Sequence, residues 1–543
     1  MMRGLYFLAL LVLALGGQSA QAAKPNVLFF VVDDLNTGVG AFGDDLADTP
    51  HIDGLLGNGT TFTNAHVIKS ECSPSRATMF TGRLPDMNRV WDFEPRLRHF
   101  NPTLMTLPGL FREQGYRTVA FGKVFDSRSF KKKEKLDLCE SSNSTICSWD
   151  KIASLEDMEK DARNVCGIKK LKYSWSKKQK KKNRGKLAII VPDKKAKYTS
   201  DHCSATAAGQ ELRDLAVSGT PFFLAVGFSL PHMPWVYPRS YASMLNDISD
   251  KELVDRVAGD TNSSFFEEQT NTMSNSGSYE ITRYSDHESV STADRIRHYY
   301  RSVSYMDDQL GRVLDVLDET GLEDVKANTL IVFASDNGFH LGDHGIWGKK
   351  TLYDRATRVP LAIVPPSTLL ETQPALRNGL GAEIPFPVQI DDVFPTVLEL
   401  CGIENDDVDH DRSGVSLVPS MQNTTKAVRS AAVSQFWAHA GEGMNRKIMG
   451  YSLRTVHARY TRYMAFSKNI RSTAITTTLY DPSQGEGVPE FFDYAIDGSR
   501  ELANRANESA FERSVELLQS EIMANGDRGW TSLHGAIPFD ARS

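Results

Sequence analysis

Four short apolar runs, each stopping abruptly at polar or charged residues, constrain the fold of this chain more than any other feature. The runs at 26–32 (NVLFFVV), 118–121 (TVAF), 222–228 (FFLAVGF) and 329–334 (TLIVFA) lead into Asp33 and Asp34, Gly122 and Lys123, Pro231 and His232, and Asp336 and Asn337. Unbroken apolarity over so few residues is how strands buried on both faces read, which calls for a mostly parallel sheet covered by helices. In such open sheets ligands sit beyond the carboxyl ends of the strands, so the four run ends nominate one shared site. The expected class is therefore α/β: a large N-terminal domain with a central, mostly parallel sheet flanked by helices.

At 543 residues, with 41% apolar side chains and a formal charge of -6, the chain can bury a large core and is expected to form more than one domain. We place the α/β domain at 24–430. From about residue 431 to 543 the character shifts to shorter strand-like pieces at 458–465 and 491–495 and a helix ending near Ala524, which predicts a smaller α+β C-terminal domain with an antiparallel sheet. The clearest helix starts at Ser291 or Thr292 and continues through Tyr299, Val303, Met306, Leu310, Val313 and Leu317 to a C-capping Gly321. The segment at about 131–197 is lysine-rich, holds Lys180, Lys181 and Lys182, and shows little periodicity. It reads as a solvated insertion loop or as a basic guide for a polyanionic substrate.

Residues 1–22 carry Arg3, an apolar run from Leu5 to Leu15 and small residues ending at Ala22, the pattern of a cleavable secretory signal. A membrane anchor is the competing reading, but the run is shorter than the ~20 residues a bilayer span needs. Neither a stable membrane span nor a nucleic-acid partner is expected. Export implies an oxidising compartment, secreted or lysosomal, and the sequons at Asn58, Asn143, Asn262, Asn423 and Asn507 are compatible with glycosylation. Of six cysteines, Cys72 is reserved for chemistry below. Cys139 with Cys147 and Cys166 with Cys203 are the expected pairs, which leaves Cys401 over.

Cys72 precedes Ser73, Pro74, Ser75 and Arg76, and Pro74 fits the first position of a helix running to Gly82. That places Cys72 at a helix N-terminus, where backbone N–H groups and the helix dipole favour an anion and Arg76 adds a fixed positive charge. Alone, such a cysteine also reads as a buried apolar filler. Asp33, Asp34, Asp336 and the amide oxygen of Asn337 offer an oxygen-only set suited to Ca²⁺ or Mg²⁺ rather than zinc. An Asp-Asp pair alone also serves as a turn or a cap.

Cys72, Pro74, Ser75 and Arg76, followed by Thr81, Gly82 and Arg83, resemble the signature of the formylglycine-dependent sulfatase family within the alkaline-phosphatase superfamily. Asp33 and Asp34, Gly122 and Lys123, Pro231, His232 and Pro234, the 335–338 run SDNG, Lys349 and the helix around Tyr299 extend the likeness from about residue 25 to 400. Trp91, Asp92 and Phe93, with the 122–125 run GKVF, are similar to the iduronate-2-sulfatase branch. The resemblance implies conversion of Cys72 to formylglycine by a formylglycine-generating enzyme, and a Ca²⁺ ion held by Asp33, Asp34, Asp336, Asn337 and residue 72. It implies a sulfate pocket lined by Lys123, His232 and Lys349, with His232 giving a proton to the departing alcohol. The implied activity is hydrolysis of O-sulfate esters, on sulfated carbohydrate or another sulfate ester. A phosphodiester or phosphonate monoester hydrolase and a catalytically weak protein that binds sulfated glycans are the alternatives. One departure stands out: where the family commonly has a histidine shortly after the lysine, Asp126 stands here. His66, His99, His340 and His344 are candidates to replace that histidine, and Asp126 is itself a candidate base.

Overall fold

The computed structural model describes residues 24–93, 96–129, 137–139, 146–172, 185–258, 279–282, 284–404, 412–439, 447–467, 476–479 and 490–493. The 1–22 leader, Lys180 to Lys182, Asn143, Asn262, Asn507 and the helix expected to end near Ala524 lie outside them. The central sheet has eight strands: β1 (Asn26–Asp33), β2 (Thr60–Phe62), β3 (Arg117–Gly122), β4 (Lys151–Ala153), β5 (Phe222–Pro231), β6 (Thr329–Ser335), β7 (Leu361–Val364) and β8 (Glu383–Ile384). Their order is β8-β2-β7-β6-β1-β5-β3-β4. Only β7 runs antiparallel to its neighbours, β6 and β2; β1 is parallel to β5 and β6 on its two sides, and β3 to β5 and β4. All four expected runs are strands of this sheet, and the mostly parallel α/β class holds.

The buried core forms two layers, one on each face of the sheet. Val27, Phe29 and Val31 point into one layer with Met79 and Phe80 of helix α1 (Cys72–Thr81). Leu28, Phe30 and Val32 point into the other, with Leu212 of helix α2 (Ser200–Ser218) and Tyr299, Val303 and Leu310 of helix α3 (Thr292–Leu317). Each fully buried large apolar side chain is worth about 1.5–3 kcal/mol, so a strand apolar on both faces is stable only when both layers form. Ser291 caps α3 by accepting a hydrogen bond from Asp294 N at 3.0 Å. The helix ends at Leu317 with Asp318 as its cap, short of Gly321, which adopts φ +88° three residues beyond that cap. Likewise α1 begins at Cys72, so Pro74 is its third residue rather than its first. It still lies in the opening turn, where N–H groups have no intrahelical acceptor.

The 131–197 segment is more ordered than its lysine content suggests. It supplies the edge strand β4 and a helix, Leu155–Cys166, started by a reciprocal Ser154 and Asp157 capping box. Disulfides join Cys139 to Cys147 and Cys166 to Cys203, as expected, and Cys72 and Cys401 are free and buried. Asn58 and Asn423 are exposed. Among the described residues no helix is long and apolar enough to cross a membrane.

A second, antiparallel sheet comprises β9 (Ala432–His439), β10 (Lys447–Arg454), β11 (Ala458–Ser467), β12 (Thr476–Leu479) and β13 (Glu490–Asp493). Its strand β9 is bonded to the segment leading into α1: Gln435 N donates to Ile68 O at 2.6 Å and Ser434 Oγ to Val67 O at 2.7 Å. Half-buried Asp86 collects hydrogen bonds from Trp91 Nε1 at 2.6 Å, Gln435 Nε2 at 2.9 Å and Tyr451 OH at 2.8 Å.

Two glycines fix where the site begins. Gly122 ends β3 at φ +78°, and a Cβ there would lie 2.1 Å from Gly227 O; a Cβ on Gly227 would lie 2.1 Å from the carbonyl carbon of Lys123. Backbone meets backbone there, with no flexible side chain to yield. Gly227→Ala is therefore expected to cost more than about 2 kcal/mol, seen as a clear drop in melting temperature by scanning fluorimetry or as loss of soluble protein.

Candidate active site

The carboxyl ends of β1 and β6 lie side by side at the centre of the sheet, which brings Asp33, Asp34, Asp336 and Asn337 together. Asp34 takes the left-handed conformation, φ 67°, uncommon outside glycine and costing on the order of 1–2 kcal/mol. The turn is held by its surroundings. Asp34 N donates to Asp336 Oδ1 at 3.1 Å, Leu35 N to Ser335 Oγ at 3.1 Å, and Tyr299 OH donates to Asp34 O while accepting from Asn36 N, both at 2.9 Å. Tyr299 thus ties α3 to the turn after β1.

Helix α1 points its first residue at this turn. Cys72 Sγ lies 3.2 Å from Asp33 Oδ1 and 2.9 Å from Lys349 Nζ. Carboxylate oxygens of Asp33, Asp34 and Asp336 and the Cys72 sulfur all lie within 4.8 Å of one another, and all four residues are buried. Asn337 donates from Nδ2 to Asp34 Oδ1 at 2.7 Å, while its Oδ1 is buried with no hydrogen-bond donor. A buried amide oxygen left so is costly, and beside three carboxylates its natural complement is a hard cation. The donor chemistry and spacing fit a Ca²⁺ or Mg²⁺ ion, whose oxygen ligands lie ~2–2.6 Å from the metal.

Arg76, one turn into α1, is wholly buried. It donates from Nε to Asp336 Oδ2 at 2.7 Å and from Nη1 to Lys123 O and to Val124 O, the latter at 2.9 Å, and Nη2 lies 3.5 Å from Asp33 Oδ1. Lys123 Nζ pairs with Asp33 Oδ2 at 2.5 Å and Lys349 Nζ pairs with Asp34 Oδ1. Burial alone would push the Asp33 carboxyl up, but Lys123, His232, Lys349 and Arg76 outweigh it and hold the group well below the usual carboxylate range. Burial, with Asp33 and Asp336 nearby, pushes the Cys72 thiol up, the lysines only partly offsetting it. An unmodified cysteine here is protonated and a poor nucleophile.

His232 follows β5 with Nδ1 donating to Met233 O at 2.6 Å and Nε2 3.9 Å from Asp34 Oδ2. Burial pushes its pKa well below the ordinary value, against the pull of Asp33. A carbonyl only accepts, so Nδ1 carries the proton and Nε2 of the neutral ring faces the carboxylates as an acceptor. The turn before it is set by Asp201 at the start of α2, which accepts from Ser229 N at 2.9 Å, Ser229 Oγ at 2.6 Å and Leu230 N at 2.9 Å.

All nine sequence-nominated residues, Asp33, Asp34, Cys72, Arg76, Lys123, His232, Asp336, Asn337 and Lys349, therefore gather at one place. The suggested replacements for the missing histidine do not. His66 uses both ring nitrogens on Asn64 and Thr357, His340 bonds Asp343 and Thr351, His99 packs on Phe100 and His344 on Tyr353. Asp126 is held as an anion: although burial opposes its charge, Arg128 clamps both its oxygens at 2.8 and 2.6 Å and, with Lys123, holds its pKa well below the ordinary value. Tyr299, Asp201 and Arg128 escaped sequence reasoning as site residues. Only the last carried a signal, its place two residues after Asp126.

A sulfatase family model matches residues 25–403, which spans every residue of this cluster. The chain belongs to the sulfatase family. It is 29% identical over 506 residues to iduronate 2-sulfatase of Mus musculus, covering 83% of this chain and 86% of that protein. In shape it is similar to a phosphonate monoester hydrolase of Agrobacterium radiobacter, with a TM-score of 0.66 at 19% identity over 93% of this chain and 96% of that one. A 2-O GAG sulfatase aligns with a TM-score of 0.59 at 20% identity, covering 95% of each chain. The family makes this sulfatase a sulfuric ester hydrolase, and the two structural likenesses speak for the fold.

Tyr299→Phe keeps the ring and removes the bridging hydroxyl, so Asn36 N and Asp34 O lose a buried partner. The expected result is a loss of about 1–2 kcal/mol, read as a lower melting temperature, with a larger fall in turnover than in stability because the Asp34 turn loosens.

Proposed function

We propose that this sulfatase hydrolyses O-sulfate esters on a sulfated carbohydrate, with Cys72 converted to formylglycine by a formylglycine-generating enzyme. Asp33, Asp34, Asp336, Asn337 and residue 72 would hold a Ca²⁺ ion. In this reading 24–430 is the catalytic domain, 431–543 a smaller α+β domain, and the leader directs the protein to the secretory pathway, for secretion or the lysosome. The observation that carries the reading is the position of residue 72: first in its helix, touching both Asp33 and Lys349 and grouped with Asp34 and Asp336, while Asn337, bonded to Asp34, holds a buried oxygen that no donor meets. The similarity to iduronate 2-sulfatase supports a sulfated sugar as substrate.

The charges show how such a site takes an anion. Arg76, Lys123 and Lys349 balance Asp33, Asp34 and Asp336, so a divalent ion leaves the pocket with net positive charge for an ester sulfate. As formylglycine, residue 72 would supply in its hydrate the hydroxyl that attacks sulfur, Asp33, whose Oδ1 lies 3.2 Å from Cys72 Sγ, being placed to accept its proton, and a bound cation would polarise both that hydroxyl and the sulfate. Lys123 and Lys349, each paired with a carboxylate, would hold sulfate oxygens and stabilise charge as it moves to the leaving oxygen. Arg76 touches only carboxylates and carbonyls and is a positioning residue. His232 is neutral as it stands; the negative charge of a bound sulfate ester favours the imidazolium, so the ring would take a proton from solvent as substrate binds and give it to the departing alcohol.

Cys72→Ala should lower hydrolysis of an aryl sulfate by at least ~10³-fold with little change in melting temperature, and a variant as active as wild type would end this mechanism. Mass spectrometry of the peptide spanning residue 72 should show the aldehyde, whereas intact cysteine in active protein would count against it. A marked preference for the matched aryl phosphonate would instead place the chain with phosphorus ester hydrolases. Chelation should lower both activity and melting temperature, and added Ca²⁺ should restore them.

A further inference from the structure

Beyond the sulfate pocket, the rim holds a second cationic feature that the chemistry above does not use. Ser129 Oγ is 2.7 Å from Ser73 Oγ, which pins the turn at Ser127–Ser129 against the first turn of α1. Next to it, the Arg128 guanidinium is gripped from one edge by Asp126, through Nε and Nη2, and lies on the face of Phe93 with 3.5 Å between its carbon and the ring centroid. Asp126 is 2% exposed at its side chain while that of Arg128 is 39% exposed. Among the described residues Arg128 Nη1 donates to nothing. The group is therefore fixed on two sides and presents its remaining donors outward. Lys350 also stands near Phe93, 5.8 Å from the ring centroid and 3.0 Å from Glu71 Oε1. Lys350 has φ 74° and follows Lys349, the residue that touches Cys72.

A half-buried ring with two cations near it, one locked in orientation, on a turn bonded to the residue after Cys72, suits a sugar ring carrying an acidic group. A planar fork held by a buried carboxylate loses little entropy on meeting an oxyanion, and such charge-assisted contacts are the strong ones. We propose that Arg128, positioned by Asp126 and Phe93, binds a second oxyanion of the substrate, a carboxylate or a further sulfate on the sugar that bears the scissile ester or on its neighbour. This deepens the reading of the site as a carbohydrate sulfatase and rests on it. Asp126 thus orients a specificity-determining arginine.

The test compares wild type and Arg128→Gln on three substrates: a simple aryl sulfate with no second anion, an aryl glycoside of a sulfated uronic acid, and the methyl ester of that uronide. The kcat/KM for the uronide relative to the aryl sulfate should fall about 10- to 100-fold in the variant, chiefly through KM, and the methyl ester should show no such selective loss. A disulfated neutral sugar distinguishes the sources: selective loss on it alone identifies a sulfate as the partner, and loss on the uronide alone a carboxylate. Equal losses on every substrate, or none, overturn the proposal. Because Arg128→Gln leaves Asp126 buried without its cation, the double variant Asp126→Asn with Arg128→Gln is measured alongside and should show the same selectivity. If wild type hydrolyses none of the esters, the reading as a carbohydrate sulfatase fails. The subsite is then judged by calorimetric binding of the uronide, equal affinity of wild type and variant being fatal to it.

Discussion

Three carboxylates buried within a few ångströms of one another cannot persist without compensation, and the site is organised around that constraint. Like charges at such distances in a medium of reduced dielectric repel by several kcal/mol, and each pays a desolvation penalty besides. Arg76 and Lys123, brought by α1 and the end of β3, and Lys349, from the segment after β6, meet Asp336, Asp33 and Asp34 in turn. These partners come from four separate stretches of the chain. The charge cluster is thus balanced only when the parallel sheet is assembled, and its balance is the point at which fold and chemistry become one problem.

The same dependence explains why the backbone around the site departs from ordinary geometry. Asp34 is left-handed because its carbonyl and the following amides are bonded to Tyr299 and Ser335, elements 265 and 300 residues away in sequence. Gly122 and Gly227 permit the ends of β3 and β5 to touch without intervening side chains, which sets the height of Lys123 above the sheet. On the far side, β9 bonds the segment entering α1 and Asp86 gathers Gln435 and Tyr451. The antiparallel sheet therefore buttresses the helix that carries Cys72, while standing apart from the carboxylates themselves.

Much of this was legible in the chain because parallel strands write their burial as short unbroken apolar runs, and their exits as polar residues. That is why the central strands and eight of the nine candidate residues could be read from local patterns, whereas Lys349 was nominated by the family resemblance. Signals that depend on reach across space were not. Tyr299 sits on a helix whose periodicity marks it as core, and nothing nearby says that its hydroxyl closes a turn near residue 34. Asp201 looks like any acidic residue at a helix start, although its carboxylate is spent on the backbone before His232. The lysine-rich stretch concealed β4 and the Leu155–Cys166 helix because charge on an exposed face blurs periodicity. Pro74 and Gly321 misplaced helix ends by a few residues because a permitted boundary residue does not oblige the helix to start or stop there.

Asp126 shows how one substitution acquires meaning only in three dimensions. In sequence it is a missing histidine, and the natural question is which other residue takes over a proton. In the folded protein it is an anion held by Arg128 and Lys123, with its pKa well below the ordinary value. A carboxylate buried beside the anion pocket would repel substrate if it stood alone. Its pairing with Arg128 removes that penalty and, because the guanidinium is the more exposed partner, leaves the positive edge facing out. The position has thus exchanged a titratable group for a fixed ion pair whose cation lies on Phe93. Among the described residues His232 is the one histidine whose ring faces these carboxylates.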